Sequence, residues 1–380
     1  MSLTPRGARR SQSALVGGIA LAAAAALTLT GCAPGASADG APDGALSVVT
    51  TTTQLTDFAR EVGGDDIELR GLLVPGGSAH HFDPTPADLL ALSEADVLVV
   101  NGAGLETFID DAIDASGFAG EIVTASDGID LAEATEITAE GEAGESGDAH
   151  ADHDHAAATD EHADEEVHAD ETEEAGHDHA EGEDEHDHDH GATNPHLWTS
   201  PRYAEGMVSH LGAELARIDP DHAAGYEERT AAYTAKLEAL DAWVGEQFAA
   251  VPEAKRVLVS GHDSLRYFLH DYDIAFAGAI LPSFEDNAEP SAADIDALVA
   301  EIRERGVTAV FVESSMSPKL ARTIAAEAGV TVVDAESIYA DSLGTEDSGA
   351  DTYIDATIHN TRLILEAWGE TAAPLPATLK

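Results

Sequence analysis

Two stretches of alternating strand-like and helix-like segments, separated by one long helical pattern, constrain the fold of this 380-residue chain. Each stretch contains short apolar runs that predict strands, with helix-forming segments between them. The predicted strands are Leu46–Thr51, Ile67–Val74, Asp96–Asn101 and Glu121–Thr124 in the first stretch, and Arg256–Ser260, Ile274–Ile280, Thr308–Glu313 and Thr331–Val333 in the second. Because strands that alternate with helices form parallel sheets covered by helices, we predict an α/β fold with two lobes.

The pattern between the two stretches predicts a single long helix. Large apolar residues recur at helical spacing between Pro220 and Ala250, namely Tyr226, Tyr233, Leu237, Leu240, Val244 and Phe248. A helix of this length is about 45 Å long, so it can join both lobes as one rigid backbone. We therefore predict an N-terminal lobe at residues 46–218, a backbone helix at 219–250 and a C-terminal lobe at 251–380.

The N-terminal residues resemble a bacterial lipoprotein signal. Three arginines precede an apolar stretch from Ala14 to Leu29, which is shorter than the roughly twenty residues of a membrane span. The stretch ends in Leu-Thr-Gly-Cys at Cys32, the only cysteine of the chain. We expect removal of residues 1–31, lipidation of Cys32 and a flexible tether at residues 32–45, which would hold the protein on the outer face of the cell membrane. The alternative is a free thiol after a plain signal peptide.

A tract from Glu133 to His190 is rich in acidic residues and histidine and has almost no large apolar side chains. Such a segment buries too little apolar surface to offset the entropy of ordering, so we predict a disordered loop at residues 133–190. Its last part alternates imidazole with carboxylate, which favours weak, rapidly exchanging metal binding. The loop histidines expected to bind metal are His177, His179, His186, His188 and His190. A solubilising linker is the alternative.

The charge of the chain limits the class of its ligands. It has 18 lysines and arginines against 73 aspartates and glutamates, for a formal net charge of -55. Such a surface cannot displace the counterions of phosphates, which excludes nucleic acid as a partner. A negative field concentrates cations near the protein, so a cation is the favoured ligand.

Three histidines outside the tract lie next to predicted strands or helices in a way that suggests a ligand site. His80 follows a glycine-rich loop after a strand, and His262 directly follows another strand. Ligands of α/β proteins bind beyond the carboxyl ends of parallel strands. His196 precedes a helix that is predicted to begin at Ser200 and Pro201. Position alone leaves open whether these imidazoles bind a metal or are satisfied within the protein.

Four segments resemble the metal-site segments of the cluster A-I solute-binding proteins of zinc and manganese ABC importers. They are Ala79–Pro86, Asn194–Pro201, Ser260–Tyr267 and Asp341–Gly344. The resemblance implies two α/β lobes joined by a rigid helix, with one metal ion in the cleft. It implies His80 and His196 as ligands from the first lobe and His262 and Asp341 from the second. In some zinc-binding relatives, water takes the place of Asp341.

Two positions depart from the family pattern. The family often has Asp-Pro before the first histidine ligand, where this chain has Ser78-Ala79, and Asp before Pro-His, where it has Asn194. The neighbour of the first ligand, His81, is therefore a second candidate. The offset from Phe82-Asp83-Pro84 favours His80.

The resemblance implies the solute-binding component of an ABC importer, a monomer that delivers one metal ion to the permease and is not an enzyme. In the manganese-binding branch a carboxylate tends to take the place of His262, so imidazole there favours Zn²⁺ over Mn²⁺. Three other functions stay open: a manganese importer component, a surface zinc buffer, or a zinc-dependent hydrolase, although no His-Glu-x-x-His motif supports the last. Since only neutral imidazoles bind metal, affinity is expected to fall as the pH drops through about 6.5.

Overall fold

The computed structural model describes residues 45–78, 80–147, 193–281 and 290–380. The predictions for the signal segment, for Cys32, for almost all of the tether and for the histidines of the acidic tract lie outside these ranges. Within the described ranges, no helix combines the length and the apolar composition needed to cross a membrane.

The first lobe is built on a four-stranded sheet. Its strands are β1 (Leu46–Thr50), β2 (Ile67–Gly71), β3 (Val97–Val100) and β4 (Glu121–Thr124). Their order is β2-β1-β3-β4, and every pairing is parallel. The helices are α1 (Thr53–Gly63), α2 (Pro86–Glu94), α3 (Ile109–Ser116), α4 (Leu131–Gly147) and α5 (Pro201–Ile218). Alternate residues of β3 pack into two different core clusters, so both faces of the sheet are covered.

A long helix, α6 (Ala223–Ala249), follows α5 after a short turn. Its 27 residues correspond to about 40 Å at 1.5 Å per residue. It packs against α1 and α5 of the first lobe. All six apolar residues that defined its pattern in the sequence are buried. Burial of this face fixes α6 firmly to the first lobe.

The second lobe repeats the plan of the first. Its strands are β5 (Val257–Ser260), β6 (Ala275–Ala279), β7 (Ala309–Glu313) and β8 (Thr331–Ile338), in the parallel order β6-β5-β7-β8. Its helices are α7 (Arg266–Asp271), α8 (Ala292–Glu304), α9 (Lys319–Ala328) and α10 (Tyr353–Ala367). Helix α10 packs against α6, which therefore contacts both lobes. The predicted α/β fold with two parallel-sheet lobes is confirmed.

One part of the sequence interpretation is wrong: the acidic tract is not disordered from residue 133, because α4 continues to Gly147. The Asp130 carboxylate accepts hydrogen bonds from the main-chain N–H groups of Ala132 and Glu133 at the start of this helix. Ala134 and Ile137 are buried, and the helix packs against α7 and β6 of the second lobe. A narrow apolar face on an otherwise acidic helix is enough for packing, although composition alone did not reveal it.

Asp57 joins three helices and makes the stability of the fold depend on pH. Its carboxylate accepts hydrogen bonds from the Tyr353 N–H at 2.9 Å, the Tyr233 hydroxyl at 3.3 Å and the Arg60 guanidinium at 3.1 Å. Burial outweighs these bonds and raises the pKa of Asp57 from 3.8 to about 6. The folded state therefore binds a proton that the unfolded state releases between these two values, and the stability from this group increases as pH falls.

We expect Asp57→Asn to remove this dependence. From pH 7 down to pH 4, the wild-type protein should gain up to roughly 3 kcal/mol of unfolding free energy relative to the variant, at about 1.4 kcal/mol per pKa unit. Denaturant unfolding of both metal-free proteins across this pH range measures the difference. Parallel pH profiles would contradict the assignment.

Candidate metal centre

The loop after β2 carries His80, which is partly buried, whereas its neighbour His81 is exposed. The loop is fixed from the other lobe, because the N–H of Gly76 donates to the Ser342 hydroxyl at 2.8 Å. The His80 N–H itself donates to the Ser78 hydroxyl at 3.3 Å. The imidazole of His80 faces the cleft, where its Nε2 lies 3.0 Å from that of His196.

His196 is completely buried on the segment that leads into α5. The helix begins as predicted, with the Ser200 hydroxyl accepting from the Tyr203 N–H and Pro201 in the first turn. The side-chain oxygen of Asn194 lies 2.8 Å from His196 Nδ1 and accepts from the His196 N–H at 3.0 Å. Since a carboxamide oxygen only accepts, Nδ1 carries the proton and the lone pair of Nε2 is available to a metal.

His262 follows β5 and is held by a carboxylate at the end of β7. Its N–H donates to Glu313 Oε1, and its Nδ1 lies 3.3 Å from the same oxygen. The Ser264 hydroxyl also donates to that oxygen, at 2.8 Å. The preceding residue must be Gly261, because a Cβ there would lie 2.0 Å from Glu313 Oε2. The close approach of Glu313 orients the imidazole with Nε2 facing the cleft.

Asp341 follows β8 and is buried between the lobes. Its Oδ2 accepts a hydrogen bond from the Ser315 hydroxyl at 3.0 Å. Its Oδ1 has no hydrogen-bond partner in the part of the chain that the structure describes. The preceding carbonyl, of Ala340, accepts from Gln54 Nε2 and Trp198 Nε1 of the first lobe, both at 2.8 Å. One carboxylate oxygen is thus fixed with its lone pairs directed into the cleft.

The four side chains converge. His196 Nε2 lies 3.0 Å from His80 Nε2 and 3.1 Å from His262 Nε2. Asp341 Oδ1 lies 3.4 Å from the Nε2 atoms of both His196 and His262. One donor atom from each residue lies within 4.8 Å of every other. A tetrahedral Zn²⁺ with bonds of about 2.05 Å needs ligand atoms roughly 3.3 Å apart, so the spacing suits a single ion.

The electrostatics of the cluster also favour a cation. Burial lowers the pKa of His196, which keeps its imidazole neutral, although Asp341 opposes the shift. Burial also disfavours a charge on His262, but the carboxylates of Asp341 and Glu313 outweigh it and raise the pKa of His262 well above its usual value. Burial likewise opposes ionisation of Asp341, yet His262 and His196 hold the pKa of Asp341 well below its usual range. The carboxylate is ionised, and the negative charge of Asp341 and Glu313 that holds a proton on His262 is available to a metal ion once that proton leaves.

The structure therefore brings together His80, His196, His262 and Asp341, the residues that the sequence singled out. Other histidines have other partners: His222 pairs with Asp219, and His270 lies beside Asp271. The loop histidines, His177, His179, His186, His188 and His190, lie outside the described residues. The role of Asn194 was missed, although its departure from the family pattern was a signal.

Glu313→Gln should weaken metal binding without removing any of the four clustered donors. The substitution keeps the shape of this buried side chain and removes the negative charge beside His262. Loss of such a supporting group typically costs about 10- to 100-fold in metal affinity. Competition titration with a zinc chelator measures the change, with Glu327→Gln on the exposed face of α9 as the matched control. Equal affinity in the two variants would show that Glu313 does not support the site.

Two parallel-sheet lobes with three imidazoles and a carboxylate gathered between them define a two-lobed protein with a candidate site for one divalent metal ion. Residues 48–367 match the profile of the family described as zinc-uptake complex component A, periplasmic. The chain belongs to this family, whose members are substrate-binding proteins of metal ABC transporters.

Relatives in this family are named for different metals. The manganese-binding lipoprotein MntA of Halalkalibacterium halodurans is 26% identical over 338 residues, which cover 88% of this chain and 92% of MntA. The zinc-binding protein TroA of Treponema pallidum is 26% identical over 335 residues, covering 87% and 91%. The solved structure of TroA superposes with a TM-score of 0.65 at 22% identity, over 86% of this chain and 99% of TroA. Membership in the family thus identifies a substrate-binding protein of a metal ABC transporter. It does not identify the metal, which has to be argued from the donor atoms of the site.

Proposed function

We propose that this protein is the extracytoplasmic solute-binding component of a zinc ABC importer, which binds one Zn²⁺ between its lobes and delivers it to the permease. The observation that carries the proposal is the donor set, in which three imidazole nitrogens and one carboxylate oxygen lie within 4.8 Å of one another. His196 Nε2 lies 3.0 to 3.4 Å from the donor atoms of the other three, close to the separation in a tetrahedral zinc shell. Imidazole suits zinc, whereas manganese prefers oxygen donors. The presence of His262, rather than a carboxylate, therefore favours zinc as the cargo.

The number of protein donors favours transport over hydrolysis. Catalytic zinc usually keeps three protein ligands and an open position for water. Here four protein donors surround the same point, and all except His80 are buried. A complete shell binds an ion tightly and leaves little room for a substrate, so we assign no enzymatic activity.

The contacts of the two lobes suggest how the ion would leave. Helix α6 packs against helices of both lobes, and the loop before His80 is bonded to Ser342 across the cleft. A rigid connection of this kind limits hinge motion, so we expect release through small shifts of loops and lobes when the permease docks.

The histidine-rich tract and the N-terminal cysteine complete the proposal. The tract joins α4 to the segment of His196, so ions held weakly by its histidines would be captured close to the cleft. A lipid on Cys32 would anchor the protein at the outer face of the membrane. Two relatives in the family, MntA of Halalkalibacterium halodurans and FimA of Streptococcus parasanguinis, are named as lipoproteins. We expect the protein to act as a monomer.

Deletion of residues 148–190 separates an importer component from a surface zinc buffer. It spares α4 and the segment that begins at Thr193. We expect the shortened protein to keep one tight zinc site with a stoichiometry of about one, and to lose only the weaker binding. Isothermal titration with zinc and with manganese, in competition with a chelator, measures both classes of site. Loss of all tight binding would favour the buffer, and tighter binding of manganese would favour a manganese importer.

A further inference from the structure

Asn194 occupies a central position between the two lobes. It is completely buried on the segment that leads into α5, and its main chain is fixed on both sides. Its N–H donates to the Thr138 hydroxyl of α4 at 3.0 Å, and its carbonyl accepts from the Tyr267 hydroxyl of α7 at 2.6 Å. The position of the backbone therefore does not depend on the side chain.

The two halves of the carboxamide contact different lobes. The oxygen accepts from the N–H of His196 and lies 2.8 Å from its Nδ1. The nitrogen donates to the main-chain carbonyl of Asp263 at 2.7 Å and to the Asp263 carboxylate at 3.1 Å. Asp263 directly follows His262 in the second lobe. One amide thus joins the segments that carry two of the four clustered residues.

Only a carboxamide fits both sets of contacts. An aspartate has an oxygen for His196 but no proton for the Asp263 carbonyl, and it would place two carboxylates side by side. Asp263 cannot move away freely, because its carboxylate also pairs with Arg266 at 2.6 Å. The amide at position 194 is therefore tied to the closed arrangement of the lobes.

We propose that Asn194 is a positioning residue that locks the His196 segment to the His262 segment and thereby sets the rate at which the bound ion leaves. The inference rests on the proposed function, since it assumes that these histidines hold the cargo. Release by a shift of the lobes separates His196 from His262, and the Asn194–Asp263 bonds must then break as well. The lock acts on dissociation more than on association.

The test compares zinc release from the full mature chain, loaded with one equivalent of zinc and mixed with excess chelator in a stopped-flow instrument. Asn194→Asp keeps the acceptor for His196 and removes the donor to Asp263. We expect its slow release phase to be about tenfold faster or more, with little change in the association rate. Asn194→Ala, which removes both contacts, should release at least as fast. Gln247→Glu is the matched amide-to-carboxylate control, because this buried side chain joins α6 to the C-terminal segment, and it should release zinc like the wild type.

A reciprocal exchange keeps the test decisive if two neighbouring carboxylates prevent folding. Asn194→Asp with Asp263→Asn restores a side-chain donor opposite an acceptor but not the bond to the Asp263 carbonyl, so release should lie between the wild type and Asn194→Asp. Wild-type release from Asn194→Asp would overturn the lock, even if the melting temperature fell, as would a double variant that releases zinc as fast as Asn194→Ala. A His262→Ala variant that released zinc with the same slow phase as the wild type would instead refute the proposed function.

Discussion

Zinc affinity should fall by at least about a hundredfold when His80 is replaced by alanine. Structural zinc sites are worth about 10–16 kcal/mol over four ligands, so the loss of one ligand costs on the order of 3 kcal/mol. His80 supplies one of the four donors, and its Nε2 lies 3.0 Å from that of His196. Competition titration of the protein lacking residues 148–190 measures the effect without interference from the tract histidines.

The adjacent residue provides the control. His81→Ala makes the same chemical change one position further along the chain, on a side chain that is exposed. We expect it to retain the affinity of the unsubstituted protein. A larger loss for His81→Ala than for His80→Ala would show that the loop presents the other histidine to the metal and that the geometry of the first lobe is wrong.

The second large effect concerns the choice of metal. His262→Asp should lower zinc affinity and raise manganese affinity, so that the ratio of the two affinities falls by about a hundredfold or more. The reason is that an oxygen donor replaces the imidazole nitrogen, in a pocket that already contains the carboxylates of Asp341 and Glu313. Parallel titrations with zinc and manganese measure the ratio.

The same substitution at an exposed histidine controls for added charge. His270→Asp on α7 introduces a carboxylate outside the cluster and should leave the ratio unchanged. If His262→Asp also left the ratio unchanged, the identity of this donor would not determine selectivity, and the preference for zinc would lose its main support.

The sequence predicted the two lobes because a parallel α/β sheet leaves a strong local signal. Short apolar runs such as Val97–Val100 are buried on both faces, and helices alternate with them. His80 and His262 could be placed for the same reason, since each follows a strand of a parallel sheet. The ends of strands were less predictable: β8 continues to Ile338, where it pairs with Glu313 after a shift in register.

What the sequence did not reveal depends on contacts between distant residues. Helix α4 was missed because its apolar face is narrow and its partners, α7 and β6, come from the other lobe. His196 follows the acidic tract rather than a strand, so its position before a helix was a weaker indication, and its role rested mainly on the family resemblance. Its orientation depends on Asn194 and, through that amide, on Asp263, a contact that no local pattern predicts.

The central claim is that one ion is held by donors from both lobes. Crystals of the zinc-loaded protein, measured on both sides of the zinc absorption edge, test it most directly. We predict a single strong anomalous peak within about 2.0–2.2 Å of the Nε2 atoms of His80, His196 and His262 and of an Asp341 oxygen. A fully occupied zinc peak elsewhere, with these side chains directed away from one another, would contradict it.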